Sequence, residues 1–143
     1  MSGKVSVTTE KLYSALMFSH VTIGSSDPNK AADFYDAVLG TLGIATLFNV
    51  DGAVAYGEPT GGKTFILKPF DGGCPEPGNG GHIAYLATSR AQVDAFHAAA
   101  LEHGGTDEGA PGIRAHYHPN YYGAYVRDPE GNKIQAVCHS KNG

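Results

Sequence analysis

The chain has 143 residues, enough for one domain with its own hydrophobic core, and its 41% hydrophobic and 17% charged residues are ordinary for a globular protein. A formal net charge of −4, without any stripe of lysine or arginine, argues against nucleic acid as a partner. No apolar run approaches the roughly 20 residues of a membrane span. Cys74 and Cys138 match no zinc or redox spacing, so we expect two reduced thiols and a cytoplasmic location.

The first half of the chain predicts a module of one strand, one helix and three further strands, over residues 17–69. Residues 1–16 precede it and are interpreted as an N-terminal extension that lacks the apolar core of a signal peptide. Asp27 and Pro28 form a suitable pair for the start of a helix, and apolar residues follow at spacings of three and four. The predicted strands are 17–25, 45–50, 52–58 and 64–68, and the predicted helix is 28–42.

The second half repeats this order over residues 81–139, after a linker at 70–80 that is rich in glycine and proline. Near its end, residues with high strand propensity flank a polar turn at 128–132, where proline and glycine permit the chain to reverse. The predicted helix is 89–103, and the predicted strands are 81–87, 115–118, 122–127 and 133–139.

An internal repeat supports the two modules. A shift of 62 residues aligns His20 with His82 and also aligns the two predicted helices. A shift of 70 residues aligns the turn at Pro59 with the turn at Pro129. The change of shift from 62 to 70 places eight extra residues in the second module, around 110–121.

A module of four strands with a single helix cannot bury both faces of its sheet alone, so the two modules are expected to close against each other. We therefore predict an α+β fold. Two paired βαβββ modules form an eight-stranded, cup-shaped mixed sheet with the helices outside, and both modules belong to one domain.

The order of elements and several short motifs resemble the vicinal oxygen chelate superfamily. This superfamily contains glyoxalase I, bleomycin and fosfomycin resistance proteins and extradiol dioxygenases. The resemblance covers residues 18–139 and is closest to a glyoxalase-like subgroup. The motifs that carry it are His20-Val21-Thr22-Ile23, Asp33-Phe34-Tyr35, Leu42-Gly43, Gly81-His82-Ile83-Ala84 and Asp128-Pro129-Glu130-Gly131-Asn132-Lys133-Ile134.

The resemblance implies a metal site inside the cup, with ligands from the first and last strands of each module. The corresponding positions are His20, Phe65, His82 and Gln135. His20, His82 and Gln135 would hold a divalent zinc, nickel, manganese or iron ion, and Phe65 would contact the bound substrate or ligand. Glyoxalase-type sites usually have glutamate at a last-strand position, and the amide of Gln135 can bind a metal but cannot accept a proton. The alternative is that both histidines belong to the core of a cup that binds an organic ligand without a metal.

A second group of candidates lies in the extra residues of the second module. If 115–118 is a strand, alternation points Arg114, His116 and His118 to one side. There, Arg114 would hold an anionic substrate, and a histidine would act as acid or base. The tyrosines that would line the ligand site are Tyr56, Tyr121 and Tyr122. The alternative is a surface hairpin whose aromatic residues cover a dimer interface or the rim of the cup.

The resemblance leads to three hypotheses of function. The first, which we favour, is a small-molecule enzyme of glyoxalase-like type, a lyase or isomerase that acts on a polar oxygenated substrate with a divalent metal. The second is a metal-free protein that sequesters a ligand, as bleomycin resistance proteins do. The third is an extradiol-type dioxygenase. We expect a homodimer with a small-molecule partner, and no nucleic-acid or membrane partner.

Overall fold

A computed structural model describes residues 16–143, and residues 1–15, nearly all of the predicted N-terminal extension, lie outside the described residues. Both predicted modules have the expected order of elements. The first contains β1 (His20–Gly24), α1 (Pro28–Gly40), β2 (Thr46–Val50), β3 (Ala53–Gly57) and β4 (Lys63–Leu67). The second contains β5 (Ile83–Leu86), α2 (Arg90–Glu102), β6 (Thr106–Ile113), β7 (Tyr122–Arg127) and β8 (Lys133–Cys138).

Both helices begin at residues that cap them. The side chain of Asp27 accepts a hydrogen bond from the Lys30 backbone N–H at 3.2 Å, just before α1. The side chain of Ser89 accepts one from the Gln92 backbone N–H at 3.1 Å, just before α2. These contacts satisfy N–H groups that have no partner inside the helix, so each start is determined locally. Within the described part of the chain, neither helix is long and apolar enough to span a bilayer.

The strands form two open four-stranded sheets, in the orders β1-β4-β3-β2 and β5-β8-β7-β6. In each sheet the first and last strands of the module are parallel, and the other pairs are antiparallel. Phe65 lies opposite Thr22, and Gln135 lies opposite Ala84, and these pairs are equivalent in the repeat. The predicted α+β class and the paired βαβββ modules are confirmed, with the eight strands divided between two mixed sheets.

Each helix covers one face of its own sheet. Helix α1 contacts β2, β3 and β4, α2 contacts β6, β7 and β8, and the two helices contact each other. Phe34 on α1, Ile66 on β4 and Phe96 on α2 are buried in this core. Among the described residues, no helix covers the opposite face of either sheet. We call these surfaces the first open face, in the first module, and the second open face, in the second module.

The strand predicted at 115–118 is wrong. The strand that pairs with β7 is β6, which ends at Ile113. Its pairing shifts register at Gly109 and again before Gly112, so these bulges interrupt the alternation that would reveal a strand in the sequence.

Residues 114–121 connect β6 to β7 as a compact turn, closed by a hydrogen bond from the Arg114 N–H to the Tyr121 carbonyl oxygen at 2.7 Å. Strand alternation therefore does not group Arg114, His116 and His118, because all three lie in this turn.

Candidate functional site

The first open face presents an imidazole beside aromatic rings. Phe65 lies on β4 next to the buried Ile66, so its side chain points to the open face. The His20 ring meets it edge-on, with 5.0 Å between ring centroids, and the Phe48 ring lies at 6.3 Å. His20 Nδ1 is 2.9 Å from the hydroxyl oxygen of Ser19. This face is therefore mainly apolar, with one imidazole at the start of β1.

The second open face holds a hydrogen-bonded chain of three side chains. Gln135 on β8 is only 1% exposed. Its Oε1 lies 3.1 Å from His82 Nε2, and its Nε2 donates to the Tyr121 hydroxyl oxygen at 2.5 Å. Gly123 on β7 leaves room for this contact, because a Cβ there would lie 3.0 Å from Gln135 Nε2. The buried amide is thus satisfied at both ends, as its burial requires.

This network assigns the proton on His82. The amide nitrogen of Gln135 donates to Tyr121, so the amide oxygen faces the imidazole, and an amide oxygen can only accept. In this orientation of the amide, a neutral His82 ring carries its proton on Nε2 and its lone pair on Nδ1. Gln135 orients the imidazole and sets its tautomer, which leaves Nδ1 as the proton acceptor of the ring.

Two further tyrosines, Tyr117 and Tyr125, lie beside these three side chains. The Tyr125 ring on β7 meets the His82 ring edge-on at 5.5 Å, and the Tyr117 and Tyr121 rings are 4.7 Å apart. Burial, together with hydrogen bonds and charge interactions with Tyr121 and Tyr117, raises the pKa of Tyr125. Tyr125 therefore remains a neutral phenol near pH 7 and can donate a hydrogen bond.

A cavity of about 210 Å³ lies beside these groups on the second open face. We call it the second-face cavity. It combines cationic, imidazole and phenol side chains with a single acidic one. Its lining residues are His82, Glu108, Arg114, His116, Tyr117, Tyr125 and Lys133. Of the three predicted catalytic residues, Arg114 and His116 are thus on the cavity wall.

His118 contacts the site through Tyr121. Its Nδ1 accepts a hydrogen bond from the Asn120 backbone N–H at 3.1 Å, so its Nε2 carries the proton and donates to His139 Nδ1 at 2.8 Å. The rings of His118 and His139 lie 5.5 Å and 5.4 Å from the Tyr121 ring. The histidine pair therefore packs against the tyrosine that holds Gln135.

The donor atoms of the second open face fit part of a divalent metal site. Two adjacent ligands, each roughly 2.1 Å from one ion, would lie about 3 Å apart, and His82 Nε2 is 3.1 Å from Gln135 Oε1. The third predicted ligand, His20, lies on the first open face against Phe65. Within residues 16–143, no group of three or more His, Cys, Asp or Glu is arranged to hold a metal ion. One chain therefore offers two predicted donors on one face and the third on the other.

Two predicted ligand-lining tyrosines point away from the open faces. Tyr56 is 1% exposed, and its hydroxyl donates to Asp36 on α1 at 2.7 Å. The Tyr122 hydroxyl donates to Asp94 on α2 at 2.6 Å. Both side chains lie on the helix-covered side of their sheets, so the structure does not bring them together with His82 and Tyr121.

Tyr125 and Lys133 line the second-face cavity but were not among the residues predicted from the sequence. The hairpin between β7 and β8 pairs Tyr125 with Gln135, and Lys133 lies two residues from Gln135 on the same face of β8. Counting back through the predicted turn would have found both residues once Gln135 was a candidate. Glu108 gave no such signal, because β6 is irregular.

Paired βαβββ modules define the class of fold, and the second-face cavity has the scale of a site for a small molecule. Residues 17–136 match the model of the Glyoxalase/Bleomycin resistance protein/Dioxygenase superfamily. The chain belongs to this superfamily, and the resemblance stated from its motifs is confirmed.

Solved structures agree with this assignment. A glyoxalase/bleomycin resistance protein from Albidiferax ferrireducens T118 is 42% identical, with a TM-score of 0.78 over 87% of this chain and 100% of that one. A glyoxalase-related enzyme from Fulvimarina pelagi is 21% identical, with a TM-score of 0.66 over 86% of this chain and 88% of that one. A lactoylglutathione lyase from Agrobacterium tumefaciens is 18% identical, with a TM-score of 0.58 over 85% and 92% of the two chains. The last two show the fold alone. No curated protein matches the chain.

Proposed function

We propose that this chain is a small-molecule enzyme of glyoxalase-like type, a lyase or isomerase that removes and returns a proton beside a carbonyl group of a polar oxygenated substrate. The observation that carries the proposal is the chain from Tyr121 through Gln135 to His82, whose last member lines the second-face cavity. A buried amide that holds one imidazole in a defined tautomer is suited to proton transfer.

In this proposal, His82 accepts the proton at Nδ1. His116 lines the same cavity and is the second acid or base. Tyr125 keeps its proton because its pKa is raised, so it can donate a hydrogen bond to the substrate oxygen that gains negative charge. Arg114 holds a negatively charged part of the substrate.

We further propose that a divalent zinc, nickel, manganese or iron ion is held by His82, Gln135 and His20. When bound, such an ion supplies positive charge that stabilises a developing oxyanion. Gln135 and His82 cannot hold their present hydrogen bond and share an ion at the same time. In the metal-bound protein, His82 would therefore bind the ion through Nε2 and would not act as the base, and His116 is the group that takes the proton. The amide is neutral where related sites usually have a carboxylate, so metal affinity is expected to be modest.

His20 contacts Phe65 on the first open face, and His82 contacts Gln135 on the second. The first open face of one chain placed against the second open face of another would bring the three donors together, so we propose a homodimer. Apolar side chains on both open faces support this, since Phe48 is 41% exposed and Leu86 is 72% exposed. Sedimentation velocity should find a dimer for the native chain and a monomer for Leu86→Asp. Leu101→Asp, at an exposed position on α2, is the matched control and should stay dimeric. A monomeric native chain would contradict the homodimer.

Proton exchange tests the enzyme proposal without knowledge of the natural substrate. Small hydroxy and keto compounds, and the hemithioacetal of methylglyoxal and glutathione, are incubated with the protein and each of the four metals in D2O, and exchange is followed by NMR. We expect exchange for at least one compound, and weak or no activity on the hemithioacetal.

His82→Ala should lower the exchange rate by at least roughly a hundredfold, the scale of a lost acid–base group. His97→Ala is the control, because His97 lies on α2 and bonds Asp107 at 2.8 Å, away from the cavity. The enzyme proposal fails if no compound exchanges, or if both variants lose the same amount.

A metal-free protein that sequesters a ligand is the second candidate. It is favoured by the residues at the metal-ligand positions in the last strand of each module, which are Phe65 and Gln135. Neither residue is an acid, and neither side chain can accept a proton. Such a protein would bind its ligand stoichiometrically and show no exchange. An extradiol dioxygenase is less well supported, because that chemistry uses two imidazoles with a carboxylate, and Gln135 supplies an amide.

A further inference from the structure

Two cationic side chains line the second-face cavity and form no ion pair with the described residues. Arg114 and Lys133 line it together with Glu108. Glu108 is already neutralised, because its Oε1 accepts a hydrogen bond from Arg127 Nε at 2.6 Å. Among residues 16–143, no ion pair joins Arg114 or Lys133 to a carboxylate. In a chain with 14 acidic and 10 basic residues, two unpaired cations beside one cavity indicate a site for an anion.

The position of Arg114 is set before any ligand arrives. Its two terminal nitrogens donate to the carbonyl oxygens of Gly112 and Ala110 at 2.8 Å and 2.7 Å. The guanidinium carbon lies 5.7 Å from the centroid of the Tyr125 ring, and Lys133 Nζ lies 5.2 Å from the same centroid. A guanidinium has five N–H donors, so two carbonyl contacts leave others for an oxyanion. Both cations thus lie against the Tyr125 ring, and little reorganisation is needed for them to bind an anion.

The rest of the cavity favours a flat organic group beside that charge. Tyr117 lines the cavity and is 58% exposed, and its ring lies 4.1 Å from the His116 ring. An exposed aromatic surface of this kind packs best against another planar group. The volume of about 210 Å³ is small, below the roughly 300–1,000 Å³ of sites for drug-sized ligands.

We propose that the second-face cavity binds a small planar organic carboxylate, with Arg114 and Lys133 on the carboxylate group and Tyr117 against the planar body. A small planar carboxylate is then the substrate class of the proposed function. The inference rests on the proposed function only in the statement that the bound carboxylate reacts. Binding itself is independent of it.

Titration calorimetry of the full chain at low salt tests the site with four unreactive probes. Benzoate carries both the charge and the ring, benzamide has the ring without the charge, acetate has the carboxylate without the ring, and inorganic phosphate is a different oxyanion. We expect benzoate to bind at least roughly tenfold more tightly than benzamide or acetate, with an affinity that falls as salt is added. The inference is overturned if benzamide binds as well as benzoate, if only phosphate binds, or if no probe binds.

Single variants then identify the side chains that bind the carboxylate group. Lys133→Met and Arg114→Met should each weaken benzoate binding by at least roughly tenfold, the effect of losing a charge-assisted hydrogen bond. Lys68→Met is the matched control, since Lys68 is exposed just after β4 in the first module, and it should bind benzoate like the native chain. Equal losses in Lys68→Met and Lys133→Met, with thermal unfolding unchanged in both, would overturn the assignment.

The calorimetry separates this inference from the proposed function. Benzoate binding without proton exchange on any compound would retain the carboxylate site and refute the enzyme. Exchange on a neutral carbonyl compound, without benzoate binding, would retain the enzyme and refute the carboxylate site.

Discussion

A hydrogen bond between Tyr35 and Asp128 joins the two modules, and Tyr35→Phe removes it. The Tyr35 hydroxyl on α1 donates to Asp128 Oδ2, in the turn between β7 and β8, at 2.5 Å. The two residues are 1% and 5% exposed. Burial and the neighbouring Asp128 raise the pKa of Tyr35, so the hydroxyl keeps the proton that it donates.

The expected loss of stability in Tyr35→Phe depends on the hydrogen bonds that Asp128 retains. Asp128 still accepts hydrogen bonds from the Glu130 N–H, the Asn132 N–H and Asn132 Nδ2, each at 2.9 Å, so the carboxylate is not left unsatisfied. Phenylalanine keeps the edge-on ring contact with Phe34 at 4.9 Å. A hydrogen bond to a charged group contributes about 1.5–3 kcal/mol, and we expect a loss of about 2 kcal/mol. For a chain of this size, that loss lowers Tm by roughly 6–8 °C.

Urea unfolding of Tyr35→Phe, Asp128→Asn and the double variant measures the coupling between the two side chains. We expect a coupling free energy of at least about 1 kcal/mol. Tyr56→Phe is the matched control, because its hydroxyl bonds Asp36, an exposed residue of the same module. Water can replace that contact, so the control should lose less. A coupling below about 0.5 kcal/mol would refute the idea that this bond holds the modules together.

Two further predictions concern carboxylates near the site and at the module boundary. Gln135→Glu places an anionic ligand beside His82 and should raise Zn²⁺ affinity in calorimetry by at least roughly tenfold, and unchanged affinity would count against the pair as metal ligands. Burial raises the pKa of Glu130, but hydrogen bonds from Ser25 and Ser26 outweigh it and bring that pKa below its usual 4.5. Glu130 therefore stabilises the fold above pH 4.5, and this contribution is lost as pH falls through the lower folded value. In urea unfolding between pH 3 and 7, Glu130→Gln should show a weaker loss of stability on acidification, and an identical profile would contradict this.

The repeat explains why most of the fold could be predicted. Strands β4 and β8 begin at Lys63 and Lys133, which is the shift of 70 found in the sequence. The helix starts were also local, because the capping side chains lie within three residues of the N–H groups that they satisfy. Strand β6 was misplaced because its position depends on cross-strand hydrogen bonds to β7 rather than on its own alternation.

The candidate site could be predicted only in part. The repeat singled out His82 and Gln135, and the parallel register of β5 and β8 brings them into contact. Tyr121 reaches Gln135 from a turn 14 residues earlier, and no periodic pattern encodes that approach. Tyr56 was predicted to line the ligand site because it lies in a strand of the first module. Its side chain instead lies on the side of the sheet that α1 covers.

By itself, the sequence determined the two modules, their order of elements and the equivalence of His20 with His82. Only the tertiary structure decided that the strands divide into two open sheets, that His20 contacts Phe65 whereas Gln135 contacts His82, and that two cations share a cavity with Tyr125. The physical reason is that these features depend on interactions between residues at different separations along the chain. Periodicity and capping depend on neighbours along the chain, whereas the composition of an open face depends on how distant elements pack and which side of each sheet the helices cover.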